Sequence, residues 1–346
     1  MKKTILSLIV AVVGTLSCFA QDDAIATLNH GSSLTTYMGE DALAQAYNAA
    51  VDGDVITLSP GVFVGIDMNK AITLRGAGYK PMASNGYSST QITGSMYIAI
   101  PSDATATFEM EGLDCLKDVR IDNENKCDVI LSKSKFRGNV SGKGINLKAT
   151  HCIFQSLLTL GGSPYFSTTF NCQSCVIGDA YCDGLIAEGT KMCKIIANNC
   201  IVGYFPNGSE CLSYATLVNS IIVGGAWKLS ETCAVHNCVG VIAGRTFIDL
   251  FDNIPDPSNV MIDGVGDNAY ANIFKTLKSV SNPALYETFE LTDVAKTTYL
   301  GEDGTQVGIY GGTAPFTLEP TNPQVTKFVV SSTTEGGQLK VKINVE

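Results

Sequence analysis

The chain has 346 residues, with 33 acidic and 23 basic side chains; 45% of residues are hydrophobic and only 16% charged. That much apolar material excludes an intrinsically disordered chain. A formal net charge of −10 without any basic stripe excludes phosphate-backbone recognition, so no nucleic-acid partner is expected.

Residues 1–20 read as a secretory signal. Lys2 and Lys3 form the charged start, Ile5 to Val13 is an apolar run, and Cys18-Phe19-Ala20 offers a small-x-small cleavage site before Gln21. The run is too short to span a bilayer, and no other segment reaches the roughly 18 apolar residues of a transmembrane helix. Cys18 opens a second route, lipid anchoring of an N-terminal cysteine, but Leu16 stands where that pattern wants a small residue. Removing residues 1–20 takes away Lys2, Lys3 and Cys18 and leaves 33 acids against 21 bases, a net of −12, and eleven cysteines. An odd number in an exported chain leaves at least one thiol free or paired between molecules.

From about residue 40 to 52 the pattern is that of an amphipathic helix. Leu43, Tyr47, Ala50 and Val51 share one face, Glu40 or Asp41 suits its N-terminus, and Gly53 should end it. Such a helix would cap the open end of a β-structure and hide its unpaired strand edges.

A repeat then runs from about Ile72 to residue 245. Six segments superpose, beginning at Ser134, Cys152, Cys175, Cys200, Ser220 and Cys238, with steps of 18, 23, 25, 20 and 18 residues. Each begins with a small or sulfur residue, then a variable one, then usually a large apolar one. Asn199, Asn219 and Asn237 immediately precede three of them. Self-similarity at about 20 residues means a solenoid whose units need their neighbours for burial. Short β-branched segments between Gly, Asn and Ser turns make it a solenoid of parallel strands, a β-helix. The asparagines are expected at sharp corners with left-handed backbone, where His151 also stands. The next side chain should point inward, followed two positions later by Phe136, Phe154, Ile177, Val202 and Ile222. The expected interior is a file of buried thiols and hydroxyls, with at least one disulfide among these cysteines, or a metal at Cys172-Gln-Ser-Cys175, as the other readings.

Past the repeat, Gly301 to Gly312 is glycine-rich, and Pro315, Pro320 and Pro323 space a connection from 313 onward. Val325–Thr333 and Gln338–Val345 alternate around Glu-Gly-Gly and read as a hairpin. Because a lone hairpin is marginal in water, Phe328 or the Leu339-Val341-Ile343 face is expected to pack on the main body.

The helix with Val55-Ile-Thr-Leu58, the repeat, and the Phe289-Glu-Leu291 and Gly301–Gly312 segments together resemble the right-handed parallel β-helix proteins exported by Bacteroidetes, related in fold to the pectate-lyase superfamily. The resemblance implies one β-helix over 21–312, with the Pro-spaced hairpin of 313–346 appended. It also implies a place in the periplasm, outside the cell or on the surface of a Gram-negative bacterium. It says little of activity, because this fold hosts lyases, hydrolases and adhesins.

A lyase would need calcium held by carboxylates and a Lys or Arg as base. Asp122 and Glu124, with Arg120 and Arg137 near, are the densest candidates, yet no pattern puts three carboxylates on one face of successive coils. The motifs of β-helix polygalacturonases are not found. His30, His151 and His236 have no local triad partners. Tyr181, Tyr204 and Trp227 fall in or beside loops at roughly coil spacing and could stack on sugars. The expected role is a non-catalytic protein contacting glycans or other surface molecules, without a cofactor. A calcium-dependent polysaccharide lyase or a glycoside hydrolase acting on an acidic polysaccharide is the alternative.

Overall fold

The computed structural model describes residues 24–79, 89–101, 103–104, 106–122, 128–161, 168–183, 193–203, 215–224, 229–242, 249–262, 267–276, 289–317, 325–335 and 338–345. It is a parallel β-solenoid of about seven turns. One sheet has eleven strands, running in spatial order Ser33–Met38, Ile25–His30, Val55–Leu58, Thr73–Arg75, Phe108–Glu111, Asp128–Ser132, Asn146–Thr150, Thr168–Gln173, Cys193–Asn198, Thr216–Val218 and Ala234–His236. From Val55 onward every pairing is parallel, so each strand comes from the next coil.

The second sheet stacks Gly61–Phe63, Thr90–Ile92, Asp114–Cys115, Lys135–Phe136, Ile153–Gly161, Val176–Asp183, Ile201–Val202, Ile221–Gly224, Val239–Ile242 and Val260–Ile262. A third run of strands, Met96–Ile98, Val119–Asp122 and Val140–Lys143, continues into the later halves of Ile153–Gly161 and Val176–Asp183. A register shift between Phe154 and Leu157 turns the long strand from one face to the next.

The coil corner follows from the repeat. Lys135 pairs Ile153, Ile153 pairs Val176, Val176 pairs Ile201, Ile201 pairs Ile221, and Ile221 pairs Val239. The expected alignment is therefore the observed one. Asn199, Asn219 and Asn237 have φ of 51°, 51° and 50°, and Lys133, His151 and Ser174 occupy the same corner at 46°, 55° and 50°. Along this ridge the corner N–H of Lys133, His151, Ser174, Asn199 and Asn219 donates to a carbonyl of the next coil, for example Asn199 N to Val218 O and Asn219 N to His236 O, both at 3.1 Å. The last, Asn237 N, donates to Ser258 Oγ at 3.0 Å.

Inside the corner, Ser134, Cys152, Cys175, Cys200, Ser220 and Cys238 are fully buried. Their chemistry explains why Ser and Cys interchange there. Each side chain donates to the carbonyl two residues back: Ser134 Oγ to Ser132 O at 2.8 Å, Cys175 Sγ to Gln173 O at 3.3 Å, and Ser220 Oγ to Val218 O at 2.8 Å. Several also accept an N–H from the coil before: Leu113 N to Ser134 Oγ, Cys152 N to Cys175 Sγ and Cys200 N to Ser220 Oγ. Cys115, Cys152, Cys172, Cys175, Cys200, Cys233 and Cys238 are free, buried thiols. Two positions on, Phe136 and Phe154 stack at 5.2 Å between centroids, and Phe170 meets Phe154 edge-on.

The N-terminal end of the solenoid is closed differently from expectation. The helix is Ala42–Ala49, and it buries Leu43 and Tyr47 as expected, but Val51 is half exposed. Ala50 already turns extended, so the helix stops before Gly53, which takes φ +86° in the next turn. The helix plugs the core; the edge of Val55–Leu58 is covered instead by the antiparallel hairpin Ile25–His30 and Ser33–Met38. At the other end Gly240 takes the inner apolar position because Leu250, Phe251 and Met261 fill the space. A Cβ there would collide with the Met261 sulfur and crowd Leu250 and Phe251.

The segment 289–317, with the helix Asp293–Thr298, lies along the outside of the second sheet. The residue after each inner thiol or hydroxyl, variable in the repeat, is apolar in five successive coils: Ile153, Val176, Ile201, Ile221 and Val239. These point outward and pack with Leu291, Val307 and Ile309. The corner side chains fasten this strap. Asn219 Oδ1 accepts from Glu302 N at 3.0 Å, Asn219 O accepts from Gly308 N at 2.8 Å, and Ser174 Oγ donates to Ala314 O at 2.6 Å. His151 Nε2 lies 3.2 Å from the same Ala314 carbonyl, and its ring meets Phe316 edge-on.

The C-terminal hairpin is present as Val325–Glu335 and Gln338–Val345, antiparallel, with Glu335 opposite Gln338. The expected burial of Phe328 and of Leu339, Val341 and Ile343 concerns side chains outside the described residues.

Candidate functional site

The sequence candidates do not fall together. Arg120 and Asp122 share the strand Val119–Asp122, flanked by Met96–Ile98 and Val140–Lys143, and Arg120 lies over the Tyr97 ring at 5.4 Å. Arg137 lies just past Lys135–Phe136, on the second sheet, and grips Asp114 through two bonds of 2.8 and 2.5 Å. Glu124, Tyr204 and Trp227 lie outside the described residues, as does the side chain of Tyr181, whose backbone belongs to Val176–Asp183. His30 Nδ1 is 2.8 Å from Asp54, and His236 Nδ1 is 2.6 Å from Asp256. Among the described residues no group of three or more His, Cys, Asp or Glu converges on a metal position, and no helix is long and apolar enough to cross a membrane.

Two surfaces stand out. One is the cluster around Asp114, which is fully buried on the outside of the second sheet. Lys135, its strand neighbour, is 4% exposed, and burial together with the Arg137 guanidinium pulls its amine down to about 8. Burial likewise pushes the Tyr79 phenol upward.

The other is the outer face of the first sheet. Over four successive coils the outward positions form a grid. Asp128, Asn146, Thr169 and Lys194 make one row, Ile130, Lys148, Asn171 and Ile196 the next, and Ser132, Thr150, Gln173 and Asn198 the third. Ten of these twelve side chains are polar, and every one is at least partly exposed. Alternation puts them there, because Val129, Leu131, Leu147, Ala149, Phe170, Cys172, Ile195 and Ala197 point into the core. Parallel stacking spaces each row by about 4.8 Å, so amide, hydroxyl and charged groups repeat at fixed intervals on a flat surface. Asn146 Nδ2 donates to Asp128 Oδ1 at 3.0 Å, which orients the first row.

Sugar-stacking aromatics in the loops were the expected sign of a binding surface, and this grid carries none. Its signal lies in the strands: polar residues alternate with the core positions in Asn146-Leu-Lys-Ala-Thr150 and Thr169-Phe-Asn-Cys-Gln173.

The fold defines the class, a parallel β-solenoid. Comparison of the chain with known protein families, with curated proteins and with solved structures finds no match.

Proposed function

We propose that this is an exported β-solenoid that contacts glycans or other surface molecules without transforming them, and that the grid on the first sheet is the contact surface. The observation that carries the reading is the grid itself: ten polar side chains in three registered rows, on a face that the strap leaves open. Asn and Gln amides and Ser and Thr hydroxyls each offer both donor and acceptor, as sugar hydroxyls do. Their spacing along the solenoid is close to the length of one sugar unit in an extended polysaccharide. Export rests on the signal-like residues 1–20, and the Bacteroidetes β-helix relationship rests on the sequence resemblance.

Binding should be measured against neutral and acidic polysaccharides, with and without calcium, while following ultraviolet absorbance for unsaturated product. The double variant Asn171→Ala/Gln173→Ala should weaken binding by about tenfold or more, at about 1 kcal/mol for each lost hydrogen bond. Affinity unchanged by this variant would remove the grid from consideration.

A second reading, a polysaccharide lyase, is supported by Lys135, whose lowered pKa suits a base. Calcium-dependent release of unsaturated product by the wild-type protein, lost in Lys135→Met, would establish it in place of the first.

A further inference from the structure

The two ends of the first sheet treat their edges differently. At the C-terminal end, side chains of the segment after the last strand occupy the edge of Ala234–His236. Asn259 Nδ2 donates to Val235 O at 2.9 Å, Ser258 Oγ accepts from Asn237 N at 3.0 Å, and Asp256 pairs with His236. At the N-terminal end the outermost strand is Ser33–Met38, whose one neighbour among the described residues is Ile25–His30. Its sequence, Ser-Leu-Thr-Thr-Tyr-Met, has no charge and no proline, and its pairing has no bulge. Those are the devices by which edges are ordinarily protected. Leu34 and Met38 on this strand are 71% and 63% exposed.

The hydrogen-bonding phase fixes what the edge offers. Gly39 N donates to Ala24 O at 2.9 Å, and alternation then makes Ala26–Tyr37, Leu28–Thr35 and His30–Ser33 the bonded pairs of the hairpin. The N–H and C=O groups of Leu34, Thr36 and Met38 therefore point to the open edge. The side chains of these three share the outer face of the sheet, opposite Asn29, Thr27 and Ile25.

We propose that this edge is a docking strand for a second copy of the chain, paired antiparallel about a twofold axis through Thr36. In that register Leu34 faces Met38 of the other copy, Thr36 faces Thr36, and Met38 faces Leu34. All three are bonded pairs, so every N–H and C=O that the edge leaves open finds a partner. The two exposed apolar side chains cover each other on the outer face. A twofold axis through Thr35 instead would leave Met38 without a partner. Charge fits as well: each copy carries a net −10, yet Glu40 falls opposite Ser32 of the other copy, with His30 beyond, so no acid meets an acid. A closed twofold pairing also ends growth, because it uses the edge of both copies. One six-residue strand a side is far below the roughly 20–30 residues of a standard interface, so the association is reversible and concentration-dependent.

Sedimentation velocity of the full chain over a wide concentration range tests this. The wild-type protein should move from monomer toward dimer as concentration rises. Thr36→Lys, which sets two ammonium groups face to face on the axis, should weaken dimerisation by about tenfold or more. Its thermal midpoint should not change, because the side chain is exposed in the monomer. Mixing Thr36→Lys with Thr36→Glu should restore the dimer. A wild-type protein that stays monomeric throughout, or a Thr36→Lys variant that dimerises as the wild type does, would overturn the proposal.

Discussion

At the left-handed corner a single residue does two jobs, and the two can be separated by substitution. The backbone at Asn199, Asn219 and Asn237 takes φ near +50°, and the side chains at Asn219, Ser174 and His151 hold the strap from outside. Immediately inside, Ser220 Oγ accepts the Cys200 N–H at 3.0 Å. Ser220→Ala leaves that buried donor without a partner and should cost about 1–3 kcal/mol in chemical denaturation. Ser220→Cys should cost clearly less, because Cys175 does the same work for Cys152 N. Equal losses in the two variants would show that the inner file is held by packing alone. His151 gives the corner a pH dependence. Burial holds its imidazole below the ordinary value, so the unfolded chain binds more protons than the folded one as the pH drops below about 6.5. The stability due to the neutral ring is therefore complete above that pH and is lost on acidification. His151→Asn keeps a residue that tolerates the corner and removes the titration, so urea unfolding between pH 7 and 5 should show a shallower fall in stability than in the wild type. Parallel curves for the two proteins would assign the acid sensitivity elsewhere.

The strap shows what the sequence made legible among the elements and what it did not. The coil step and the corners could be read because they are local: a left-handed residue, a small inner one and a large apolar one recur at each turn. The position between the inner pair looked variable, yet Ile153, Val176, Ile201, Ile221 and Val239 are all β-branched and all outward. Five such side chains on one file cannot be left to water, and that was the available sign of a covering element. Which segment covers them could not be read, because Val307 and Ile309 lie some 70 or more residues beyond their partners in sequence and belong to no repeat. The N-terminal hairpin escaped for the same reason: a single antiparallel pair has no periodicity to announce it. Ile309 is 2% exposed against this file. Ile309→Glu places an unpaired charge there and should loosen the strap while the coils persist. Protease should then cut within 289–317 faster and dye binding to apolar surface should rise, with the far-ultraviolet β signal unchanged. Loss of the β signal along with the strap would mean that the coils do not stand without their cover.

Over the whole molecule, each coil touches chiefly the coils before and after it, so stability is a sum along one axis and need not be lost everywhere at once. The candidate site is harder to read at this scale. A grid row such as Ser132, Thr150, Gln173 and Asn198 is made of residues 18 to 25 positions apart, and becomes a row only once the register is known. The buried thiols turn this one-dimensional character into a measurement. Cys152, Cys172 and Cys175 lie in central coils, whereas Cys233 and Cys238 lie in the last coil but for the strand Val260–Ile262. Burial raises the pKa of Cys172, Cys175, Cys233 and Cys238, the last pushed up to about 12, so these native thiols are both covered and protonated. An alkylating reagent should leave the seven free thiols unmodified in the native protein and modify all seven after denaturation without reductant. Between those limits, in mild denaturant, the strap must loosen everywhere, since it packs on Val239 as well as on Ile153 and Val176. Beyond it Cys233 and Cys238 have only the small plug of Leu250, Phe251 and Met261 and one short strand on their C-terminal side, whereas Cys152 and Cys175 are flanked by further coils on both sides. Pulsed alkylation read by peptide mass spectrometry should therefore label Cys233 and Cys238 before Cys152 and Cys175. A single rate shared by all of them would show that the strap couples the coils into one cooperative unit.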